Sequence, residues 1–218
     1  NDGIHEEVEL QHMCLSSLLM AAGQPLEQWM DGYFAEDQRP HYAFLKRALK
    51  ALQFLEPKER WVLKSPQHLA WMPALTETFP DATIVCTHRD PVSVFTSWIT
   101  MTCYSARMSR NPLVLSEIIP HAMKLQKELL DGIVRDKGFL PEGRTEHVYF
   151  HDFMADDRAT LDRIYERADL PMTPQTKREI DHYIETHPRG RHGKVVYDLE
   201  GDFGIVRDEM YDYFGNYM

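Results

Sequence analysis

The chain has 218 residues and a formal net charge of −10, enough length to bury one substantial core as a single domain over 1–218 and too acidic for general nucleic-acid binding, which needs a basic surface. It holds no apolar run of about 18 residues, so no membrane span is expected. The three cysteines, Cys14, Cys86 and Cys103, are odd in number and lack metal-ligand spacing, which points to buried thiols in a reducing compartment and hence to the cytoplasm.

In chain order, residues 6 to 22 read as a helix. Tyr42, Leu45, Leu49, Leu52 and Leu55 recur at helical spacing, which predicts an amphipathic helix over 41–55 with Lys46, Arg47 and Lys50 outward. A strand at 61–65, a helix at 67–78, a strand at 83–88 and a helix at 91–109 follow. Strand, short helix and strand together predict a right-handed crossover with parallel pairing. A polar helix at 114–136, a strand at 146–150 and helices at 156–169 and 174–186 complete the core. Residues 187–218 form a C-terminal loop and a tail carrying Tyr197, Phe203, Tyr211, Tyr213, Phe214 and Tyr217. Such a tail docks on the body as a lid or forms a contact surface.

The most informative stretch lies between Trp61 and Ser97. Two apolar runs, Trp61-Val62-Leu63 and Thr83-Ile84-Val85-Cys86-Thr87, each end in polar residues, Lys64-Ser65-Pro66 and His88-Arg89-Asp90-Pro91. Open α/β sheets bind ligands at the carboxyl ends of their strands. Pro91 suits a first helical position, which puts Arg89 just before a helix N-terminus. Ser97 follows by eight positions, a little over two turns at about 3.6 residues per turn, so one anion can touch both residues. A guanidinium fork, a hydroxyl and a helix N-terminus suit a phosphate monoester. The plainer alternative pairs Arg89 with Asp90 or another carboxylate.

Four blocks carry a resemblance: WVLKSPQHL, FPDATIVCTHRDPVSVFTS, VYFHDFMADD and HPRGRHGKVVYDLEGDFG. In this order they resemble the sulfotransferases that use 3'-phosphoadenosine 5'-phosphosulfate (PAPS), especially the broad bacterial-type branch. The resemblance implies an α/β fold, a three-layer, P-loop-NTPase-like parallel sheet flanked by helices, and sulfuryl transfer from PAPS to a hydroxyl or amine. It puts Arg89 and Ser97 on the 3'-phosphate and Lys64 on the transferring group. Phe150 stands where the family has a tyrosine and becomes a candidate adenine contact, against the alternative of a core aromatic. The loop His187–Lys194 becomes the one that closes on the 3'-phosphate, with Arg189, Arg191 and Lys194 as candidate ligands; a solvated basic loop or a partner patch is the alternative.

His68, four residues after Lys64, is the nearest candidate base, since an imidazole with an ordinary pKa near 6.5 accepts a proton at neutral pH. The family's cytosolic branch places its histidine two positions after the lysine, where Pro66 stands here, so a capping role for His68 stays open. The family's glycine-rich 5'-phosphosulfate loop has no counterpart in these residues, and the expectation is that the N-terminal strand and loop belong to sequence missing before Asn1. The other reading is a catalytically inactive nucleotide-binding or scaffold relative. A kinase or nucleotidase is weaker, for want of a Walker lysine or a metal-holding acidic motif. The sulfuryl reading requires no metal; it calls for a small-molecule or glycan acceptor and leaves an oligomer open.

Overall fold

The computed structural model describes residues 6–22, 24–191, 193 and 195–218. In chain order the elements are α1 (Val8–His12), α2 (Leu19–Ala22), α3 (Glu27–Ala35), α4 (Arg39–Leu55), a 3₁₀ turn (Pro66–Ala70), α5 (Met72–Thr78), β1 (Ile84–His88), α6 (Pro91–Ala106), α7 (Leu115–Asp136), a second 3₁₀ turn (Lys137–Phe139), β2 (Thr145–Tyr149), α8 (Phe150–Ala155), α9 (Asp157–Arg167), α10 (Pro174–Thr186), α11 (Leu199–Phe203) and α12 (Arg207–Tyr213). They divide into two compact units. One comprises Asn1–Asp81, Pro91–Leu140 and Leu199–Met218, the other Ala82–Asp90 and Pro141–Asp198.

The first unit is helical. The stripe expected on α4 is buried at Tyr42, Leu45 and Leu49, but Leu52 and Leu55 are exposed. Pro91 opens α6, and that helix ends at Ala106, three residues earlier than expected. Val92, Phe95 and Ile99 of α6 pack with Ile118 and Ala122 of α7, with Met210 of α12 and with Phe214 just past its end. The aromatic tail from Leu199 onward therefore docks on α6, with Phe95 and Phe214 at 6.0 Å between ring centroids. The expected helix 6–22 is instead two short helices, interrupted where Leu15 takes φ 58°. The expected helix 67–78 is a 3₁₀ turn followed by α5, broken at Trp71 (φ −131°, ψ 36°).

The expected strand at 61–65 is not one. A strand needs a ladder partner for its backbone, and here the Lys64 N–H goes to the Glu7 carboxylate at 2.8 Å, while Trp61 and Val62 face solvent. Apolar character and β-branching alone do not supply that partner.

The second unit holds the sheet found among the described residues. Strands β1 and β2 are parallel, in register from Ile84↔Thr145 to His88↔Tyr149. The parallel pairing inferred for the sequence thus exists, but between these two strands. Glu146 and Val148 face inward, and Arg163 and Arg167 of α9 reach Glu146 at 3.0 and 3.5 Å. Asp156 caps α9 by accepting from the Ala159 N–H at 2.9 Å, and Thr173 caps α10 by accepting from Thr176 at 3.1 Å. The cysteines are free thiols; Cys86 and Cys103 are buried and Cys14 is half-buried.

Candidate active site

Lys64 and His68 lie in the first unit, Lys64 on the segment that enters the 3₁₀ turn and His68 within it. Ser65 caps this turn by accepting from the Gln67 N–H at 3.3 Å, and Pro66 opens it. Gln67 is buried and ties the turn to the N-terminal helices: its Oε1 accepts from the Leu18 N–H at 3.1 Å and from the Tyr33 hydroxyl at 3.4 Å, and its Nε2 donates to Gln11. From the other side Arg135 donates to the Ala70 carbonyl at 3.0 Å and is braced by both oxygens of Asp136. Gly132 of α7 lets this turn approach closely, since a Cβ there would stand 2.6 Å from Ala70 Cα.

Two adjacent carboxylates receive the candidate residues. Lys64 Nζ pairs with Glu6, and its side chain remains 74% exposed. Glu7, with a side chain only 1% exposed, accepts from the Lys64 N–H on Oε2 and meets His68 Nε2 on Oε1 at 2.5 Å. His68 Nδ1 lies 2.7 Å from the Tyr42 hydroxyl. Burial pushes the Tyr42 phenol well above its ordinary pKa, so Tyr42 stays protonated; which of Tyr42 Oη and His68 Nδ1 donates follows the form of the imidazole. Burial by itself raises the Glu7 carboxyl, but its bond and charge interaction with His68 and the backbone N–H groups of Glu7 and Lys64 outweigh that and hold it below the ordinary value. The result is a continuous path from Tyr42 through His68 and Glu7 to the backbone of Lys64. Two open clefts of this unit, about 390 and 320 Å³, take in neither Lys64 nor His68.

Ser97 is half-buried on α6 of the same unit. Arg89 and Phe150 belong to the second unit. Because His88 pairs with Tyr149 at the strand ends, each is the next residue on, and the guanidinium of Arg89 lies 4.4 Å from the centroid of the Phe150 ring. Phe150 opens α8 rather than closing the strand, and stays 42% exposed. Beside them His88 Nε2 and His147 Nδ1 are 2.8 Å apart, and His88 stacks on Tyr149 at 4.9 Å. Burial, then the facing His147, lower the His88 pKa.

In the basic loop, Arg189 donates to the Met154 carbonyl at 3.0 Å and the Phe153 carbonyl at 3.4 Å and pairs with Asp157 at 3.1 Å. Arg191 donates to the Thr186 carbonyl at 3.1 Å. Gly190 takes φ 79°, which a side chain rarely adopts. Lys194 lies outside the described residues. Glu6 and Glu7 were not singled out from sequence, and Tyr42 was read only as part of the buried stripe of α4. Glu6 and Glu7 show as an acidic pair ahead of a short helix, and nothing local says that it meets residues nearly sixty positions later.

Residues 5–174 match the model of the Sulfotransferase family. The chain belongs to that family. The matched region takes in Lys64, His68, Arg89, Ser97 and Phe150 and ends before the basic loop. Among solved structures, the chain is similar to sulfotransferase STF9 from Mycobacterium avium, with 28% identity and a TM-score of 0.87 over 99% of this chain and 55% of that one. Sulfotransferase STF1 from Mycobacterium tuberculosis H37Rv matches at 24% identity and a TM-score of 0.83, over 97% of this chain and 54% of that one. The fold is therefore the α/β sulfotransferase fold, and the chain spans about half the length of these sulfotransferases. No curated protein matches it. Among the described residues no helix is long and apolar enough to cross a membrane.

Proposed function

We propose that the chain serves the transfer of a sulfuryl group from PAPS to a hydroxyl or amine of a small-molecule or glycan acceptor. The observation that carries this reading is Arg89 laid on Phe150 just past the paired ends of two parallel strands, where α/β folds present ligand-binding groups, in a chain of the sulfotransferase family. These residues fit the donor: a guanidinium binds phosphate oxygens pairwise, and the exposed ring offers a face to adenine. The family pattern assigns Ser97 to the same 3'-phosphate. Arg189, tied to α8 and Asp157, shapes the basic loop, and Arg191 and Lys194 add its charge.

Bound PAPS supplies a sulfuryl group on a phosphate leaving group. As the sulfur–oxygen bond to that phosphate breaks and a bond to the acceptor forms, Lys64 meets the growing charge on the leaving oxygen. It is free to do so because an exposed ion pair such as Lys64–Glu6 is weakly held and readily exchanged. His68 receives the acceptor's proton on Nδ1, displacing its hydrogen bond with Tyr42, and the buried Glu7 carboxylate balances the imidazolium. The same division of labour operates in Ser-His-Asp sites.

Calorimetry with 3'-phosphoadenosine 5'-phosphate and adenosine 5'-phosphate tests the reading. The 3'-phosphorylated nucleotide binds more tightly, and Arg89→Ala weakens it by roughly 2 to 4 kcal/mol, as for loss of a charge-assisted partner, while sparing the other nucleotide. Equal weakening of both, or no preference in the wild type, refutes it.

A further inference from the structure

The basic loop after α10 holds its two described arginines in different ways, and every residue involved lies in the second unit. Arg189 commits both terminal nitrogens of its guanidinium: Nη1 donates to the Met154 carbonyl at 3.0 Å, and Nη2 to the Phe153 carbonyl at 3.4 Å and to Asp157 Oδ2 at 3.1 Å. The guanidinium also stands 5.7 Å from the centroid of the Phe153 ring. The two carbonyls belong to the last turn of α8, where such groups lack helical partners. The Asp157 side chain, in the first turn of α9, is only 20% exposed. A second tie fixes the entry to the loop, since Arg158 of α9 donates to Asp181 of α10 at 2.6 Å. Arg191 gives a single N–H to the Thr186 carbonyl at 3.1 Å, and among the described residues no carboxylate pairs with it.

On the proposed assignment of this loop to the 3'-phosphate, we propose that Arg189 and Asp157 are a positioning pair: Arg189 staples the loop to the corner between α8 and α9 without touching the nucleotide, and Arg191 is the loop arginine that meets the phosphate. A phosphate taken by Arg189 would have to displace two carbonyls and a carboxylate, and would then lie beside Asp157 with like charge, a repulsion that partial burial strengthens. The amino end of α9 offers no relief, because the Asp156 carboxylate already caps it. Arg191 gives up one carbonyl at most, and the rest of its fork can hold phosphate oxygens pairwise. Its own N–H closes a turn on the Pro188 carbonyl at 3.1 Å, so the backbone of Arg191 is tied to that of its neighbour Arg189, and the staple sets where the second guanidinium stands. The consequence is that removing the Asp157 carboxylate weakens the binding of an anion.

The test is calorimetry of the chain and its variants with 3'-phosphoadenosine 5'-phosphate and with adenosine 5'-phosphate, beside amide hydrogen exchange of Gly190 and Arg191 without nucleotide. Asp157→Asn weakens the 3'-phosphorylated nucleotide by about tenfold, leaves adenosine 5'-phosphate unchanged and speeds the exchange, with an unaltered circular dichroism spectrum. Asp157→Glu, which keeps the charge, restores most of the affinity. In an Arg191→Gln background Asp157→Asn costs little further affinity although it still speeds the exchange, because the staple acts through Arg191. Unchanged or tighter binding of the 3'-phosphorylated nucleotide by Asp157→Asn overturns the proposal, since that is the result for an Arg189 that binds phosphate directly once released from its carboxylate. Exchange that Asp157→Asn leaves unaltered overturns it as well. A wild-type chain without preference for the 3'-phosphorylated nucleotide refutes the donor reading and removes the role of Arg191 with it, while the exchange result still decides whether the staple exists.

Discussion

Gly132 and Gly32 both lie within helices, and the same substitution is expected to act on them with opposite sign. Replacing a helical glycine by alanine removes backbone freedom from the unfolded chain and stabilises by about 0.5 to 1 kcal/mol when nothing opposes it. At Gly32 of α3 nothing lies within 4 Å of an added Cβ, so Gly32→Ala stabilises by that amount. At Gly132 the new Cβ would stand 2.6 Å from Ala70 Cα and 2.8 Å from the Leu69 carbonyl oxygen. Reaching an ordinary contact of 3.4 Å requires the 3₁₀ turn to retreat by about 0.8 Å. That turn is backbone pinned by Arg135 and by Gln67, so it yields poorly, and the cost falls at the upper end of the roughly 1 to 3 kcal/mol of overpacking. After subtraction of the helix gain, Gly132→Ala destabilises by about 2 kcal/mol. For a chain of this length that lowers Tm by roughly 4 to 8 °C, while Gly32→Ala raises it by about 1 to 4 °C. Thermal and urea unfolding of the two variants beside the wild type give the answer. A Gly132→Ala protein as stable as the wild type would refute the argument that this close approach holds the turn bearing His68.

Glu7→Gln leaves a buried amide against His68 and the Lys64 N–H and destabilises by roughly 1 to 3 kcal/mol, read by urea unfolding at pH 7. Because the Glu7 carboxyl is held below its ordinary value, the unfolded chain binds more protons than the folded one as pH falls below about 4.3. The stability from Glu7 is present above that pH and is lost on acidification, a slope that Glu7→Gln reduces. His88 has its pKa lowered by burial and by His147. The unfolded chain therefore takes up its proton first, and stability present at pH 7 falls as pH drops through about 6.5; His88→Gln flattens that limb, and an unchanged limb would show that His88 does not set it. Lys64→Ala lowers turnover by orders of magnitude with little change in nucleotide affinity, because the cation acts on charge that appears in the transition state; steady-state kinetics paired with calorimetry separate the two. His68→Gln lowers turnover, read by steady-state kinetics. An unchanged rate would place the base elsewhere.

Local pattern was enough for what depends on local forces. The period of Tyr42, Leu45 and Leu49 fixed α4, Pro91 fixed the start of α6, and the β-branched run before His88 fixed β1, because helix spacing and proline geometry act within a few residues. The placement of Arg89 between β1 and α6, and of Ser97 on α6, was legible for the same reason. Tertiary structure decided the rest. Whether Trp61–Ser65 forms a strand depended on a ladder partner, and the Lys64 N–H found the Glu7 carboxylate instead. Which strand pairs with β1 depended on Thr145–Tyr149, some sixty residues away, and that register is what lays Arg89 on Phe150. The ionised Glu7 and the protonated Tyr42 owe their states to a buried network that joins the residue before α1, α4 and His68 of the 3₁₀ turn. Burial and hydrogen bonding between residues distant in sequence are properties of the folded chain, and no spacing rule expresses them.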